Sequence, residues 1–171
     1  MSNFVVDPYR FVVSEPCQET TITEHRQLYT AYGNGWAGGV QFKNEHCTVG
    51  DLATNVTFNL LRIGSPTGTA YARVYSDTGG GGTIRCTLGS IDVSTISTSA
   101  TDYTFNSPDT SYTVVNNDIF AIYFNGGDAS NKISFGMNQS DAGSFPDNPL
   151  GRYPSGSWDF NDQSTMYYII N

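Results

Sequence analysis

The stretch that most constrains this chain is residues 54–75, TNVTFNLLRIGSPTGTAYARVY. Val56, Phe58 and Leu60 alternate with Asn55, Thr57 and Asn59, and a period of two puts the apolar side chains on one face of a strand. The alternation slips at Leu60 and Leu61, with Ile63 beyond. Such a slip predicts a β-bulge or a passage between two covered faces. Gly64-Ser65-Pro66-Thr67-Gly68 follows; Pro brings a fixed φ and the two glycines are free to take positive φ. Ala70, Ala72 and Val74 then return against Tyr71, Arg73 and Tyr75, and a run of glycines, 79–82, ends the segment. The expectation is a core hairpin of two long strands.

The remaining sequence repeats this theme of short apolar or alternating runs between turn residues. Strands are expected at 20–23, 36–42, 83–88 and around Ile91, Val93 and Ile96. Further strands are expected at 101–105, with Tyr103 and Phe105 inward, then at 111–115, 132–137 and 165–170. Residues 119–124, IFAIYF, are apolar on both faces and so predict a central strand. Residues 138–163, with Pro146, Pro149 and Pro154, read as a long loop. Eleven Tyr, ten Phe and two Trp stand beside abundant Gly, Thr, Ser and Asn, which suits strands and turns rather than helices. About ten strands at a spacing of roughly 8–14 residues predict an all-β fold, an antiparallel jelly-roll-like β-sandwich of about 8–10 strands. A chain of 171 residues suits one such domain, taken as 17–171.

Residues 1–16 stand apart as an extended N-terminal arm. Phe4, Val5 and Val6, then Tyr9 with Phe11, Val12 and Val13, surround Asp7-Pro8. Pro8 blocks a helix and the triplets favour strand. Such an arm either edges its own sheet or adds to a neighbouring subunit's sheet as an assembly arm. The net charge of −8, without a basic run, argues against nucleic-acid partners and anionic membranes. No apolar run approaches the length of a membrane span. The opening Met-Ser-Asn lacks a basic stretch followed by an apolar one, so the expectation is a protein made without export, as virion proteins are, or a mature form given a new Met.

The succession of a strand, residues 62–69 (RIGSPTGT), a second strand and a Gly-rich turn resembles jelly-roll modules of phage and archaeal virus structural proteins and of prokaryotic surface proteins. Residues 91–96 with 103–105, residues 117–123, and Gly156-Ser157-Trp158 before 167–170 fit the same layout. The likeness covers residues 36–171 and leaves the arm outside. It implies a fold and a surface-exposed role, and it carries no catalytic residues across.

The candidate chemistry is sparse. His25 and His46 are the two histidines; with Cys17 and Cys47 they match no known zinc-ligand spacing. Asp159 and Asp162 could pair as glycosidase carboxylates, but two Asp three apart in a polar loop equally form a turn. Asp77 and Asp128 beside glycines suit calcium or simply turns. An odd number of cysteines, three, leaves at least one thiol unpaired within the chain. Cys86, in an alternating run, reads as a small buried hydrophobe, and a bridge between Cys17 and Cys47 is one option. No enzyme, metal site or cofactor is expected. Carbohydrate binding has more to recommend it, because sugars need flat aromatic faces beside amides and carboxylates. Tyr153, Trp158, Asp159, Phe160 and Asn161 form one candidate glycan-binding set, and Tyr29, Tyr32 and Trp36 another. The plainer alternative is a folded-back loop whose Trp158 and Phe160 cap the sandwich.

These residues together predict a non-enzymatic virion structural protein, a capsid-surface or head decoration subunit. It would be anchored by contacts with other copies of itself and with other virion proteins. A carbohydrate-binding module, on a tail fibre or a secreted surface protein, is the alternative from a different class. An extracellular filament subunit using strand donation is a third.

Overall fold

A computed structural model describes residues 17–28, 36–43, 46–76, 82–106, 111–141, 143–146, 149–153 and 158–171. The arm residues Phe4, Val5, Val6, Tyr9, Phe11, Val12 and Val13 lie outside these, as do Tyr29, Tyr32 and Asp77. Fifteen strands are described: β1 (Cys17–Glu19), β2 (Glu24–Leu28), β3 (Trp36–Gln41), β4 (Leu52–Ala53), β5 (Asn55–Ile63), β6 (Thr69–Ser76), β7 (Ile84–Asp92), β8 (Thr101–Asn106), β9 (Tyr112–Thr113), β10 (Asp118–Phe124), β11 (Lys132–Gln139), β12 (Leu150–Tyr153), β13 (Asp159–Asn161), β14 (Ser164–Met166) and β15 (Tyr168–Ile170). The fold is all-β and every strand pairing is antiparallel.

Two sheets stack in a sandwich-like arrangement. One runs β1-β15-β5-β11-β14, with β2 on the edge of β11 and β8 on the edge of β5. The other runs β13-β12-β3-β10-β6-β7, and β4 with β9 makes a small third ribbon. Val56, Phe58 and Leu60 from the first sheet meet Ala72, Val74, Phe120, Ile122 and Phe124 from the second in one core. Central β10 between β3 and β6 matches its two-sided apolar pattern. Its odd-numbered residues Ile119 and Ala121 are buried in a second, smaller cluster on the outside of the sheet.

The stretch 54–75 is not a hairpin. β5 and β6 lie in opposite sheets, so the 64–68 turn is an arch that carries the chain across the core. Gly64 takes φ of 70°, and a Cβ there would run into the Ser130 carbonyl oxygen. Ser65 N–H donates to Asn131 Oδ1 at 2.9 Å, which docks the arch on the 128–131 turn. The expected bulge at Leu60 and Leu61 is also absent. β5 keeps an unbroken register with β8 through Leu60 and with β11 from Leu60 to Ile63. Thr57 and Asn59 are buried on the outer face, so this strand is covered on both sides, the second of the two explanations for the slip.

Three further expectations change. Residues 138–163 contain two strands, β12 and β13, rather than one long loop. Residues 20–23 connect β1 to β2 instead of forming a strand. The strand around Ile91 is the end of a longer β7, after which Val93–Thr95 make a 3-10 turn capped by Asp92.

The C-terminal segment closes a fork in the first sheet. β5 and β11 pair from Leu60 opposite Phe135 to Ile63 opposite Lys132, then part. β14 runs along β11 (Met137 opposite Met166). The chain turns at Tyr167, whose N–H donates to Gly136 O at 2.9 Å. β15 then returns along β5, with Ile169 opposite Thr57. No helix among the described residues is long and apolar enough to cross a membrane.

Candidate functional site

The outer face of the second sheet carries the most distinctive surface. Register sets Ala37 opposite Tyr123, and Tyr123 opposite Tyr71, in one cross-strand row. The next row holds Gly151, Gly39, Ala121 and Arg73. The missing side chain of Gly151 lets two rings lie on this row: a Cβ there would come within 2.8 Å of the Phe160 ring and 2.9 Å of the Trp158 ring. Trp158 and Phe160 stack nearly parallel, with centroids 6.2 Å apart and an interplanar angle of 16°. Trp158 also meets Tyr75 edge-on at 5.4 Å. Both rings pack on the Ala37, Tyr75, Ile119 and Ala121 cluster and stay half-buried.

Of the five candidate glycan residues, the fold brings Trp158 and Phe160 together on this face. Asp159 and Asn161 fall on the alternate positions of β13. Asn161 Oδ1 accepts from Gln163 N–H at 2.9 Å and so shapes the turn that follows. Tyr153 takes the register position opposite Ala37, in the row of Tyr123 and Tyr71. Spacing in the sequence did not point to Tyr71, Arg73 and Tyr123. The Arg73 guanidinium carbon lies 4.4 Å from the Tyr71 ring centroid and 4.6 Å from that of Tyr123. The signal was present only as the alternation of β6 and the apolar run of β10, and it needed the strand register to join them.

Cys17 and Cys47 form a disulfide with Cα atoms 6.0 Å apart, a separation ordinary for cystines. Cys86 is free and buried, as its alternating context predicts, and burial pushes its thiol pKa up. His46 sits beside the bridge, and Cys17, His46 and Cys47 present ligand atoms within 4.8 Å of one another. The geometry is not that of a metal centre. Cys17 Sγ is 3.7 and 4.0 Å from the two imidazole nitrogens, and Cys47 Sγ is 3.9 and 4.0 Å from them. Near-equal distances place the sulfurs against the ring face, whereas ligand lone pairs lie in the ring plane. Those in-plane positions go to the Thr48 hydroxyl, 2.7 Å from Nδ1, and the buried Tyr168 hydroxyl, 2.8 Å from Nε2. Phe42 stacks on the same imidazole at 4.5 Å. His25 is elsewhere, on β2, within 3.2 Å of Asn59 Oδ1.

Two polar networks, one around buried Asp118 and one around exposed Asp102, escaped the sequence reading. Asp118 is fully buried at the start of β10. It accepts from the Tyr112 hydroxyl at 2.7 Å and from Val115 N–H at 2.8 Å. Arg85 Nε lies 3.2 Å from its other oxygen. Desolvation raises the Asp118 pKa against the pull of these two hydrogen bonds and of the Arg85 charge. The Tyr112 hydroxyl is raised too, by burial first and then by Asp118. Arg85, itself exposed, is the residue skipped where β6 and β7 shift register, between Val74 opposite Cys86 and Tyr75 opposite Ile84. In the other network Asp102 accepts from Asn59 Nδ2 at 2.7 Å and from the Tyr167 hydroxyl at 2.6 Å. Both networks tie strands together, and neither aims a nucleophile or base outward.

The remaining candidates resolve into turns. Asp128 Oδ1 accepts from Ser130 N–H at 2.7 Å and Asn131 N–H at 2.8 Å, which is turn capping rather than a calcium loop. These bonds lower its pKa, the Asn131 side chain first. Asp159 and Asp162 are exposed, without the desolvated surroundings that a glycosidase acid requires.

The chain matches no protein-family model, no curated protein and no solved structure with which it was compared.

Proposed function

We propose that this chain is a non-enzymatic structural subunit displayed on the outside of a particle, a capsid-surface or head decoration protein of a virion. In this reading it is held by contacts with other copies of itself and with other virion proteins, and its N-terminal arm is the anchor. The observation that carries the reading is where the arm is rooted. Residues 1–16 lead directly into β1, which among the described residues pairs with β15 alone. Cys17, the first residue of β1, is tied covalently to Cys47. Load on the arm therefore passes into a bridged strand at a sheet edge. An apolar, strand-prone segment on such a root suits strand addition to a neighbour. Cystine also suits an oxidising exterior such as a virion or cell surface.

The test is deletion of residues 1–14 with sedimentation and particle attachment as readouts, and a thermal melt as the control for folding. Loss of assembly or attachment with an unchanged melt is expected. A truncated chain that docks normally would overturn the anchor.

A second reading, a carbohydrate-binding module, is favoured by the parallel, half-buried Trp158 and Phe160 rings, which pack on the same apolar cluster as Tyr123. A glycan array probes it, with Trp158→Ala as the control. Binding that the substitution abolishes supports the reading, and binding indifferent to it counts against this face.

A further inference from the structure

We propose that Tyr71, Arg73 and Tyr123 anchor a site for a carboxylated saccharide, with Arg73 taking the sugar's carboxylate. This rests on the carbohydrate-binding reading and adds to it the ligand's charge and the residue that recognises it.

Arg73 is placed as a ligand-reading residue rather than a structural one. Three of the described cations spend donors on the protein. Arg85 faces Asp118, Arg62 donates to Ile96 O and Gly64 O, and Lys132 donates to Ala129 O. Arg73 has no such acceptor among the described residues, and its Nε is shut off from solvent with no hydrogen-bond partner. Its neighbours are the two tyrosine rings, at 4.4 and 4.6 Å. Contacts with ring faces leave the in-plane N–H donors of a guanidinium uncommitted, and with Nε shut off it is the two Nη groups that form the fork for a carboxylate's two parallel bonds. In a chain with 16 Asp and Glu against 8 Lys and Arg, a cation without a carboxylate partner gives an anion a local attraction that the net charge does not.

The backbone and the neighbouring rings agree with this assignment. β6 and β7 shift register on both sides of Arg73, between Ala72 and Arg73 and again between Val74 and Tyr75. Irregularities of this kind re-aim side chains and gather beside functional sites. The two tyrosines hold the guanidinium before a ligand arrives, which lowers the ordering cost of binding. Trp158 and Phe160 lie on the same face, over Gly151 and against the cluster of Ala121, in the row that also holds Arg73. A single fork beside aromatic rings fits one carboxylate on a sugar, whereas a polyphosphate or nucleic acid needs several clustered cations.

The experiment is isothermal titration of the full chain with sialyllactose and trigalacturonate, and with lactose and maltotriose as neutral counterparts, at low and high salt. The acidic sugars are expected to bind at least about tenfold more tightly than the neutral ones, and to weaken with salt. Arg73→Gln should lose that margin with an unchanged melting temperature, and Arg73→Lys should recover only part of it. Should Arg73→Gln not fold, the acidic-to-neutral ratio of the native chain and the lysine variant decide. Equal binding of neutral and acidic sugars overturns the inference but leaves the carbohydrate-binding reading standing. No binding of any of the four overturns it as well, and the glycan array then judges the broader reading separately. Self-association that Arg73→Gln abolishes, without sugar binding, reassigns Arg73 to a carboxylate of a second copy and also overturns it.

Discussion

The Tyr167 hydroxyl donates to the Asp102 carboxylate across 2.6 Å, at the apex of the C-terminal wedge between β5 and β11. Asp102 is held on its other oxygen by Asn59, and Asn59 by His25. The chain of contacts therefore crosses β2, β5 and β8 and ends on the segment that closes the fork.

Replacing Tyr167 by Phe tests this closure. The ring remains and the bond is lost, which costs about 0.5–1.5 kcal/mol, because the exposed Asp102 carboxylate can turn to water once the hydroxyl is gone. The pH dependence has a definite sign. Tyr167 is pushed up to about 12, by burial first and then by Asp102, above the value of about 10 for an unfolded tyrosine. The stability it contributes is fully present below the unfolded value and is lost as pH rises through the folded one. Denaturant melts should show the native chain losing stability between those two values more steeply than Tyr167→Phe. Parallel curves over that alkaline range would contradict the assignment.

Asp118 makes a second prediction. Asp118→Ala leaves the Tyr112 hydroxyl and Val115 N–H without their acceptor and takes the partner from an Arg85 that is itself exposed to water, for a loss of about 1–3 kcal/mol. The β4–β9 ribbon should loosen with it, read as faster amide exchange at Val115. Because desolvation raises the folded pKa of Asp118, its contribution is largest below the ordinary aspartate value and declines as pH rises through the folded value. The stability gap between the native chain and Asp118→Ala should therefore narrow from acid pH toward neutrality. A gap that widens would reverse the sign and refute the burial argument.

Alternation was legible wherever it meant burial. Val56, Phe58 and Leu60, and equally Phe120, Ile122 and Phe124, point into the one core. What alternation cannot encode is the neighbouring strand. β5 and β6 show apolar faces to each other across the core, a pattern that a hairpin packed on another sheet would share, so the arch at 64–68 read as a hairpin turn. β2 was missed because it pairs on one edge only and its residues, EHRQL, are largely exposed. The Tyr71, Arg73 and Tyr123 cluster joins residues of two strands far apart in sequence, and only the register of β6 with β10 reveals it.

The Cys17–Cys47 bridge closes a loop with a sequence separation of 30. Chain entropy alone then predicts that Cys17→Ser with Cys47→Ser costs about 3–4 kcal/mol. Thiol counting under denaturing conditions should find one free thiol, that of Cys86, before reduction and three after it, since the chain has three cysteines. Reductant should lower the melting temperature of the native chain and leave the double serine variant unmoved. Three free thiols without reduction would remove the bridge and the stabilised root of the arm together.

The arch between the sheets gives the last prediction, because two glycines separate its two costs. Gly64 and Gly50 both have positive φ, 70° and 96°. A Cβ at Gly50 would meet nothing within 4 Å, while one at Gly64 would strike the Ser130 carbonyl and approach Asn131 Oδ1. Gly50→Ala therefore carries only the backbone penalty, about 1–2 kcal/mol. Gly64→Ala carries a backbone penalty no larger than that, since its φ lies nearer the left-handed basin, but it must also push the arch off the 128–131 turn, breaking the Ser65 to Asn131 bond at 2.9 Å. Urea denaturation should rank Gly64→Ala clearly below Gly50→Ala, with the difference about 1–3 kcal/mol. Asn131→Ala removes the acceptor at the dock and should shrink that difference, since the two changes act on one contact and couple. If the two alanine variants lose the same stability, the arch is not seated on the 128–131 turn, and the crossing between the sheets is held by its strands alone.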